Sequence, residues 1–120
     1  MNALRIYQSF VKTSSEMVLL IDEQARITRA SPKLRSLLGM TPPQIVNCRV
    51  HELVTAEDVN FAQQFCRELS EDPALTGPVE WRIRTSDDRL RSVEVTGANL
   101  LGIPPLNGIV LYLRDITDRR

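Results

Sequence analysis

Side chains that commonly do chemistry in proteins are few in this chain. His51 is the single histidine, and Cys48 and Cys66 are the only cysteines. No Gly-x-Ser-x-Gly turn is present, and the five glycines are scattered rather than gathered in a phosphate-binding loop. The adjacent acids Glu57 and Asp58 would point in different directions on a helix, so they do not form an acid/base pair. Their place in the first turn is explained by the helix dipole. The sequence therefore predicts no catalytic residues.

A metal site is the next possibility that these residues raise. Cys48 and His51 are three residues apart and could share one face of a helix, with Glu52 and Glu57 nearby. A structural zinc site needs four ligands and a catalytic one three, and the chain has no second Cys/His pair to complete either set. We therefore expect no metal: Cys48 fills apolar space, and His51 is a partly exposed helix residue.

An apolar stripe is the clearest pattern in the middle of the chain. Thr55 is the expected N-cap of a helix that runs to about residue 69, because a hydroxyl here and acids in the first turn favour a helix start. Apolar residues recur along this helix at the spacing that places them on one face: Val59, Ala62, Phe65, Cys66 and Leu69. The pattern predicts that this face packs against the rest of the domain.

The segments on either side of the long helix have the patterns of β-strands. Five strands are expected, at residues 17–22, 26–30, 79–84, 90–101 and 109–114. The first is a continuous apolar run, typical of a strand buried on both faces, and the second follows as its hairpin partner. The third alternates strictly, which predicts that Val79, Trp81 and Ile83 face the core.

Shorter helices are expected as well. Ser31, which precedes a proline, has the residue type of an N-cap, and Gly39 would end that helix. Thr41 and Gln44 have the spacing of a capping box, which would start another short helix. A helix over residues 3–11 has an apolar face too wide for solvent, so it must pack on its own sheet or on a second copy of the chain.

Strands at both ends of the chain are best satisfied by one sheet, because two small sheets would leave long unpaired edges. We therefore predict an α+β fold: a five-stranded antiparallel sheet with helices packed on one face, plus an N-terminal helix. The last strand would lie beside the first. The chain has 120 residues, 42% hydrophobic and 25% charged, which is the composition of one ordinary globular domain.

The order of elements and five motifs resemble a PAS (Per-Arnt-Sim) sensory domain over residues 14–120. The motifs are Met17-Val18-Leu19-Leu20-Ile21-Asp22, Leu37-Leu38-Gly39, His51-Glu52-Leu53-Val54-Thr55-Ala56-Glu57-Asp58, Glu80-Trp81-Arg82-Ile83-Arg84 and Arg114-Asp115-Ile116-Thr117. Two turns depart from the family, since Ala25 and Asp88-Arg89 stand where it often has glycine. Because alanine and arginine tolerate positive φ poorly, we expect altered turn geometry there.

The resemblance implies a non-catalytic sensor or dimerisation module of a larger bacterial signalling or transcriptional protein. A small apolar ligand would lie in a pocket lined by Leu38, Ile45, Val59, Ala62, Phe65, Cys66, Leu69, Trp81, Ile83, Val95, Leu111 and Leu113. The same residues could instead form a filled core, and the domain would then be a ligand-free dimerisation scaffold. The signal would leave through Asp115, Ile116 and Thr117 toward a C-terminal effector: a histidine kinase, a cyclic-dinucleotide enzyme, a phosphatase or a DNA-binding domain.

The cofactors of two PAS branches fit the sequence poorly. Asn47-Cys48-Arg49 matches the flavin-binding photoreceptor branch locally, but alignment on the following residues puts Val50 at the reactive position. Leu113 stands where that branch has a glutamine, and leucine cannot form a hydrogen bond with a flavin. The haem-binding branch has its axial histidine on the long helix, which has none here. We therefore expect neither cofactor, and the identity of a ligand stays open.

Composition and the chain termini indicate the remaining partners. The 15 basic and 15 acidic residues cancel, so nothing favours nucleic acid or an acidic membrane surface. Short apolar runs, no signal-peptide pattern and no disulfide framework favour the cytoplasm. Homodimerisation is expected through the N-terminal helix, at Leu4, Tyr7, Phe10 and Val11. The expected division is a flanking helix at 1–13, a PAS domain at 14–117 and the start of a linker at 118–120.

Overall fold

The computed structural model describes residues 3–11, 16–74 and 76–119. Its helices and strands are α1 (Ala3–Val11), β1 (Met17–Ile21), β2 (Ile27–Ala30), α2 (Leu34–Leu38), α3 (Pro42–Ile45), α4 (Val59–Glu71), β3 (Val79–Arg84), β4 (Leu90–Asn99) and β5 (Ile109–Asp115). Single 3₁₀ turns cover Val50–Glu52, Ala56–Asp58 and Thr117–Arg119. None of the helices within these ranges is long and apolar enough to cross a bilayer.

The five strands form one antiparallel sheet in the order β2-β1-β5-β4-β3. β1, from the first half of the chain, pairs with β5, from the second half: Met17 lies opposite Leu113 and Ile21 opposite Ile109. This pairing joins the two halves of the chain and makes β1, β5 and β4 the central strands. The predicted α+β fold with a single five-stranded antiparallel sheet is confirmed.

The two faces of the sheet are covered by different helices. On the inner face, side chains such as Leu19 and Leu111 pack in one apolar core with α2, α3 and α4. On the outer face, Ile6 of α1 packs against Val18 and Leu20 of β1. Four of the five residues of β1 are therefore buried, which agrees with the continuous apolar run in its sequence.

The N-terminal helix α1 packs on its own sheet, which is one of the two arrangements that its wide apolar face allowed. Ile6, which was not among the expected contact residues, is 2% exposed, and Tyr7 and Phe10 pack against the same outer-face cluster. Leu4 is 58% exposed. The side chain of Val11 lies outside the described part of the structure, as do residues 12–15 with the expected domain boundary, and Arg120.

Neither of two expected helix caps forms its side-chain hydrogen bond, although Thr55 does hold the N-cap position of the 3₁₀ turn Ala56–Asp58 that leads into α4. The Ser31 hydroxyl accepts a hydrogen bond from the Val18 N–H at 2.9 Å and donates one to the Glu16 carbonyl at 2.8 Å, so it joins this segment to β1 instead of capping a helix. Thr55 Oγ1 is buried with no hydrogen-bond partner among the described residues, and α4 begins only at Val59. The capping box is present in part, since the Thr41 N–H donates to Gln44 Oε1 at 2.8 Å.

The two turns that lack the usual glycine still adopt backbone angles that glycine favours. Ala25 has φ +63° and Asp88 has φ +65°, so the second turn places Asp88 rather than Arg89 in the left-handed region. The first turn is held by the Asp22 carboxylate, which accepts hydrogen bonds from the N–H groups of Gln24 and Arg26, both at 2.9 Å. Side-chain hydrogen bonds of this kind stabilise turns without glycine.

Candidate functional site

The structure brings together all the residues expected to line a pocket between the long helix and the sheet. Eleven of the twelve are buried in the inner-face core, and Val59 is partly buried against it. The stripe on α4 faces the sheet as its spacing predicted, and Leu38 and Ile45 pack into the same core from α2 and α3. These twelve residues therefore lie together in one larger cluster, and that they line a ligand pocket stays a prediction.

The same cluster is close-packed where α4 crosses β4. A Cβ atom added at Gly97 would overlap the end of the Leu69 side chain, so this leucine would have to shift if another residue replaced the glycine. The Asn99 side chain on β4 donates a hydrogen bond from Nδ2 to the Leu69 carbonyl at 2.9 Å and thereby holds the C-terminal end of α4. Neither Gly97 nor Asn99 was among the expected site residues, because their roles depend on the position of a helix distant in sequence.

The core carries almost no polar chemistry. Burial raises the pKa of the Cys66 thiol to about 12, so this side chain stays neutral. Ser31, Thr55 and Thr85 are the buried polar residues in the described part of the chain, and none of them is ionisable at neutral pH. Trp81 is 2% exposed, and its Nε1 has no hydrogen-bond partner among the described residues.

An open cleft of about 470 Å³ lies on the surface beside this core. It is formed by α4 and the segment that leads into β3, and its walls include Phe61, Phe65, Gly77, Pro78 and Val79. Phe61 is 45% exposed, whereas Phe65 is buried and belongs to both the cleft and the core. The rings of Phe65 and Trp81 meet edge to face, with centroids 6.0 Å apart and planes at 82°.

The residues considered for metal or flavin chemistry lie at the edge of the core. Val50 is buried in the core, while Cys48 is half-buried at its periphery with its thiol 3.6 Å from the Gln44 carbonyl oxygen. Burial, and then the nearby Glu52 carboxylate, raise the pKa of Cys48. His51 Nδ1 lies 3.3 Å from Gln63 Nε2. Within the described ranges, no three His, Cys, Asp or Glu side chains come together as a metal site would require.

The residues expected to carry a signal out of the domain form a hydrogen-bonded turn at the end of β5. Asp115 Oδ1 accepts hydrogen bonds from the N–H and the hydroxyl of Thr117, at 2.9 and 2.6 Å. Thr117 Oγ1 accepts one from the Ser92 N–H at 3.0 Å, and the Ile116 N–H donates to the Ser92 carbonyl at 2.9 Å. Asp115 Oδ2 also lies 3.3 Å from the Arg91 guanidinium. This exit turn therefore fastens the end of β5 to the start of β4.

Comparisons with known proteins agree with this architecture. Residues 15–118 match the family model of the PAS domain, and no curated protein matches the chain. A PAS domain of a protein from Colwellia psychrerythraea superposes with a TM-score of 0.79 and 19% identity, covering 97% of each chain. A domain of a sensory box sensor histidine kinase/response regulator from Geobacter sulfurreducens has a TM-score of 0.76 and 16% identity over 93% of each chain.

A further similar structure is the PAS domain of the RpfR quorum-sensing receptor from Cronobacter turicensis in complex with BDSF. It has a TM-score of 0.69 and 13% identity, covering 89% of this chain and 99% of that one. At these identities the similarity concerns the fold. The family model, in contrast, matches the sequence itself over residues 15–118, which is most of its length and includes the exit turn. The chain therefore belongs to the PAS domain family.

Proposed function

We propose that this chain is a non-catalytic sensor module that couples the packing of its inner-face core to the exit turn and from there to a C-terminal effector. The main support is the position of β4. Val93 and Val95 of this strand are buried in the core, and the backbone of Ser92, the preceding residue, binds Ile116 and Thr117. A displacement of β4 by a ligand or a partner would therefore act directly on the hydrogen bonds of the exit turn.

The mechanism is a shift between two packings of the domain, one favoured by the signal and one favoured without it. A ligand shifts this balance only as far as it binds one packing better than the other. The RpfR domain in complex with BDSF supports a small-molecule signal by analogy of fold. Flavin and haem are not part of the proposal. A visible band in the absorption spectrum of the purified protein would contradict the proposal that neither flavin nor haem is bound.

A denaturation screen tests the ligand-binding part of the proposal. The midpoint of thermal unfolding of the chain is measured with a panel of small apolar molecules and of known PAS cofactors. A molecule that binds only the folded state raises the free energy of unfolding, by about 2.7 kcal/mol at a hundred times its dissociation constant. At least one member of the panel should raise the midpoint. If none does, the ligand-binding proposal fails.

A ligand-free dimerisation scaffold is the second candidate, and the close packing of Leu69 on Gly97 favours it. We propose α1 as the dimer contact, since Leu4 is 58% exposed and Tyr7 and Phe10 are only half-buried on their own sheet. Sedimentation at several protein concentrations measures self-association. Leu4→Glu should weaken it, whereas Leu90→Glu, at a leucine 54% exposed on β4, serves as the matched control. Equal effects of the two variants would refute α1 as the contact.

The proposal also includes the cellular compartment of the protein and the boundaries of its domain. Cys48 and Cys66 are free thiols, which suits a cytoplasmic module in a reducing compartment. The flanking helix at 1–13, the PAS domain at 14–117 and the linker that starts at 118 would place α1 and the exit turn at the two points where neighbouring parts of a longer protein attach. In such a protein, Asp115→Ala should uncouple the output from the signal and leave the domain folded.

A further inference from the structure

We infer that the pocket of this module takes a neutral molecule with an apolar body and a hydrogen-bond acceptor, such as a carbonyl oxygen, that receives the indole N–H of Trp81. The inference rests on the proposed ligand-binding function and adds the chemical class of the ligand. It follows from three features of the described residues: an unpartnered donor in the core, the absence of a charged side chain among the buried residues, and a cleft beside the core.

The unpartnered donor is Nε1 of Trp81. This side chain projects from β3 into the inner-face core, is 2% exposed, and finds no acceptor in the described part of the chain. Its nearest aromatic neighbour, Phe65, meets it edge to face and contributes no oxygen or nitrogen atom. Buried indole N–H groups usually have a partner, because leaving one unsatisfied is energetically unfavourable. A ligand with an acceptor would remove that cost on binding.

The charge of the ligand follows from the rest of the core. The buried residues that the structure describes are apolar except for Ser31, Thr55 and Thr85, and the hydroxyl of Ser31 is already used by β1. The Cys66 thiol stays protonated because burial raises its pKa to about 12. Since none of the buried residues described is a cation, a carboxylate placed here would lose its hydration without compensation. The site therefore favours a neutral ketone, ester or amide over an organic anion.

The cleft between α4 and the segment before β3 lies next to Trp81, with the Phe65 ring between them. Phe65 lines the cleft and contacts Trp81, so the two sites are separated by one aromatic ring. Gly77 lies on the opposite wall, where an added Cβ would be 3.3 Å from Phe65 Cζ and 2.9 Å from the Val95 carbonyl oxygen. A rotation of the Phe65 ring into the cleft of about 470 Å³ would open the core to a small molecule.

The test uses three probes with six carbon atoms each: methyl butyl ketone, hexane and hexanoate. They differ in the acceptor and in the charge, whereas their apolar bodies are similar. Trp81 is the single tryptophan, so the protein labelled with nitrogen-15 has one indole N–H resonance to follow by NMR. The ketone should shift this resonance downfield in a saturable way. Hexane should leave it nearly in place, and hexanoate should bind at least about tenfold more weakly than the ketone.

The matched variant is Trp81→Phe, which removes the donor and keeps an aromatic ring in the core. The ratio of the dissociation constants of ketone and hexane should rise by roughly 5- to 30-fold in this variant, as expected for one lost buried hydrogen bond. Circular dichroism checks that the variant is folded. If it is not folded, the indole resonance of the wild-type protein still decides the question.

The outcomes separate this inference from the function on which it rests. If hexane or hexanoate binds as well as the ketone and the indole resonance does not move, the ligand class is wrong but ligand binding in the core stands. If the ketone leaves the spectrum unchanged, the inference is wrong. If the wider panel of the denaturation screen also has no effect, the ligand-binding proposal fails with it.

Discussion

Replacing Asp115 by alanine tests whether the exit turn is held by the network seen in the structure. The substitution removes the acceptor of two hydrogen bonds from Thr117 and the partner of Arg91. Thr117 Oγ1 accepts the Ser92 N–H, so a Thr117 side chain that is no longer held by Asp115 also binds Ser92 less firmly. The pairing of β4 with β5 is made by backbone groups and is left intact, so the sheet should persist while its connection to the exit turn weakens.

The size of the effect can be worked out from the contacts. The ion pair is partly exposed, with 34% of the Arg91 and 30% of the Asp115 side chain accessible, so it contributes no more than about 1 kcal/mol. Each of the two hydrogen bonds contributes about 0.5–1.5 kcal/mol, and both are open to competition by water. We expect the turn to lose about 1–2 kcal/mol, which raises the population of its opened form roughly 5- to 30-fold.

Amide hydrogen exchange measured by NMR is the appropriate assay because it reports local opening residue by residue. The N–H groups of Thr117 and Ser92 should exchange faster in Asp115→Ala by the factor given above, while amides in the middle of β5 keep their protection. Asp115→Asn is the matched control. Its Oδ1 still accepts both hydrogen bonds from Thr117, so exchange should change less than about fivefold.

Two results would refute this reasoning. Unchanged exchange of Thr117 and Ser92 in Asp115→Ala would mean that the side-chain network does not stabilise the turn. Equal acceleration in the alanine and asparagine variants would mean that the ion pair with Arg91, rather than the hydrogen bonds, fastens β5 to β4. In either case the route proposed for the signal would lose its structural basis.

Three further predictions concern the core and are measured as free energies of unfolding in denaturant. Ser31→Ala should cost about 1–2 kcal/mol because the buried Val18 N–H loses its acceptor and the part-buried Glu16 carbonyl loses a donor, whereas Ser36→Ala, at an exposed serine, should stay within about 0.5 kcal/mol. Gly97→Ala should cost about 1–3 kcal/mol, and combining it with Leu69→Ala should cost less than the sum of both. The Cys66 thiol has its pKa raised from 9.0 to about 12, so the folded protein keeps a proton that the unfolded chain loses. As the pH rises from 9.0 to about 12, the free energy of unfolding should therefore fall by up to about 1.4 kcal/mol per pH unit. Cys66→Ala should remove this contribution to the pH dependence.

The fold could be predicted because its signals are local and periodic. The apolar run at β1, the alternation at β3 and the stripe on α4 each state which side chains are buried, and the structure buries Leu19, Trp81 and Phe65 accordingly. Two separate small sheets would leave long unpaired strand edges, so a single antiparallel sheet was the arrangement to expect. The twelve residues expected between the long helix and the sheet were assigned to the core for the same reason.

Roles that depend on a distant partner could not be derived in this way. A hydroxyl before a proline suggests a helix cap, but β1 lies close enough to Ser31 to take its hydrogen bonds instead. The spacing in residues 3–11 requires an apolar partner for α1, but only the folded sheet decides that Ile6 packs on Val18 and Leu20. The cleft beside Phe65 and the Trp81 N–H, which has no partner among the described residues, likewise arise from how α4 lies on the strands. Periodicity fixes which face of an element is apolar, whereas hydrogen-bond partners and cavities depend on contacts between residues far apart in the chain.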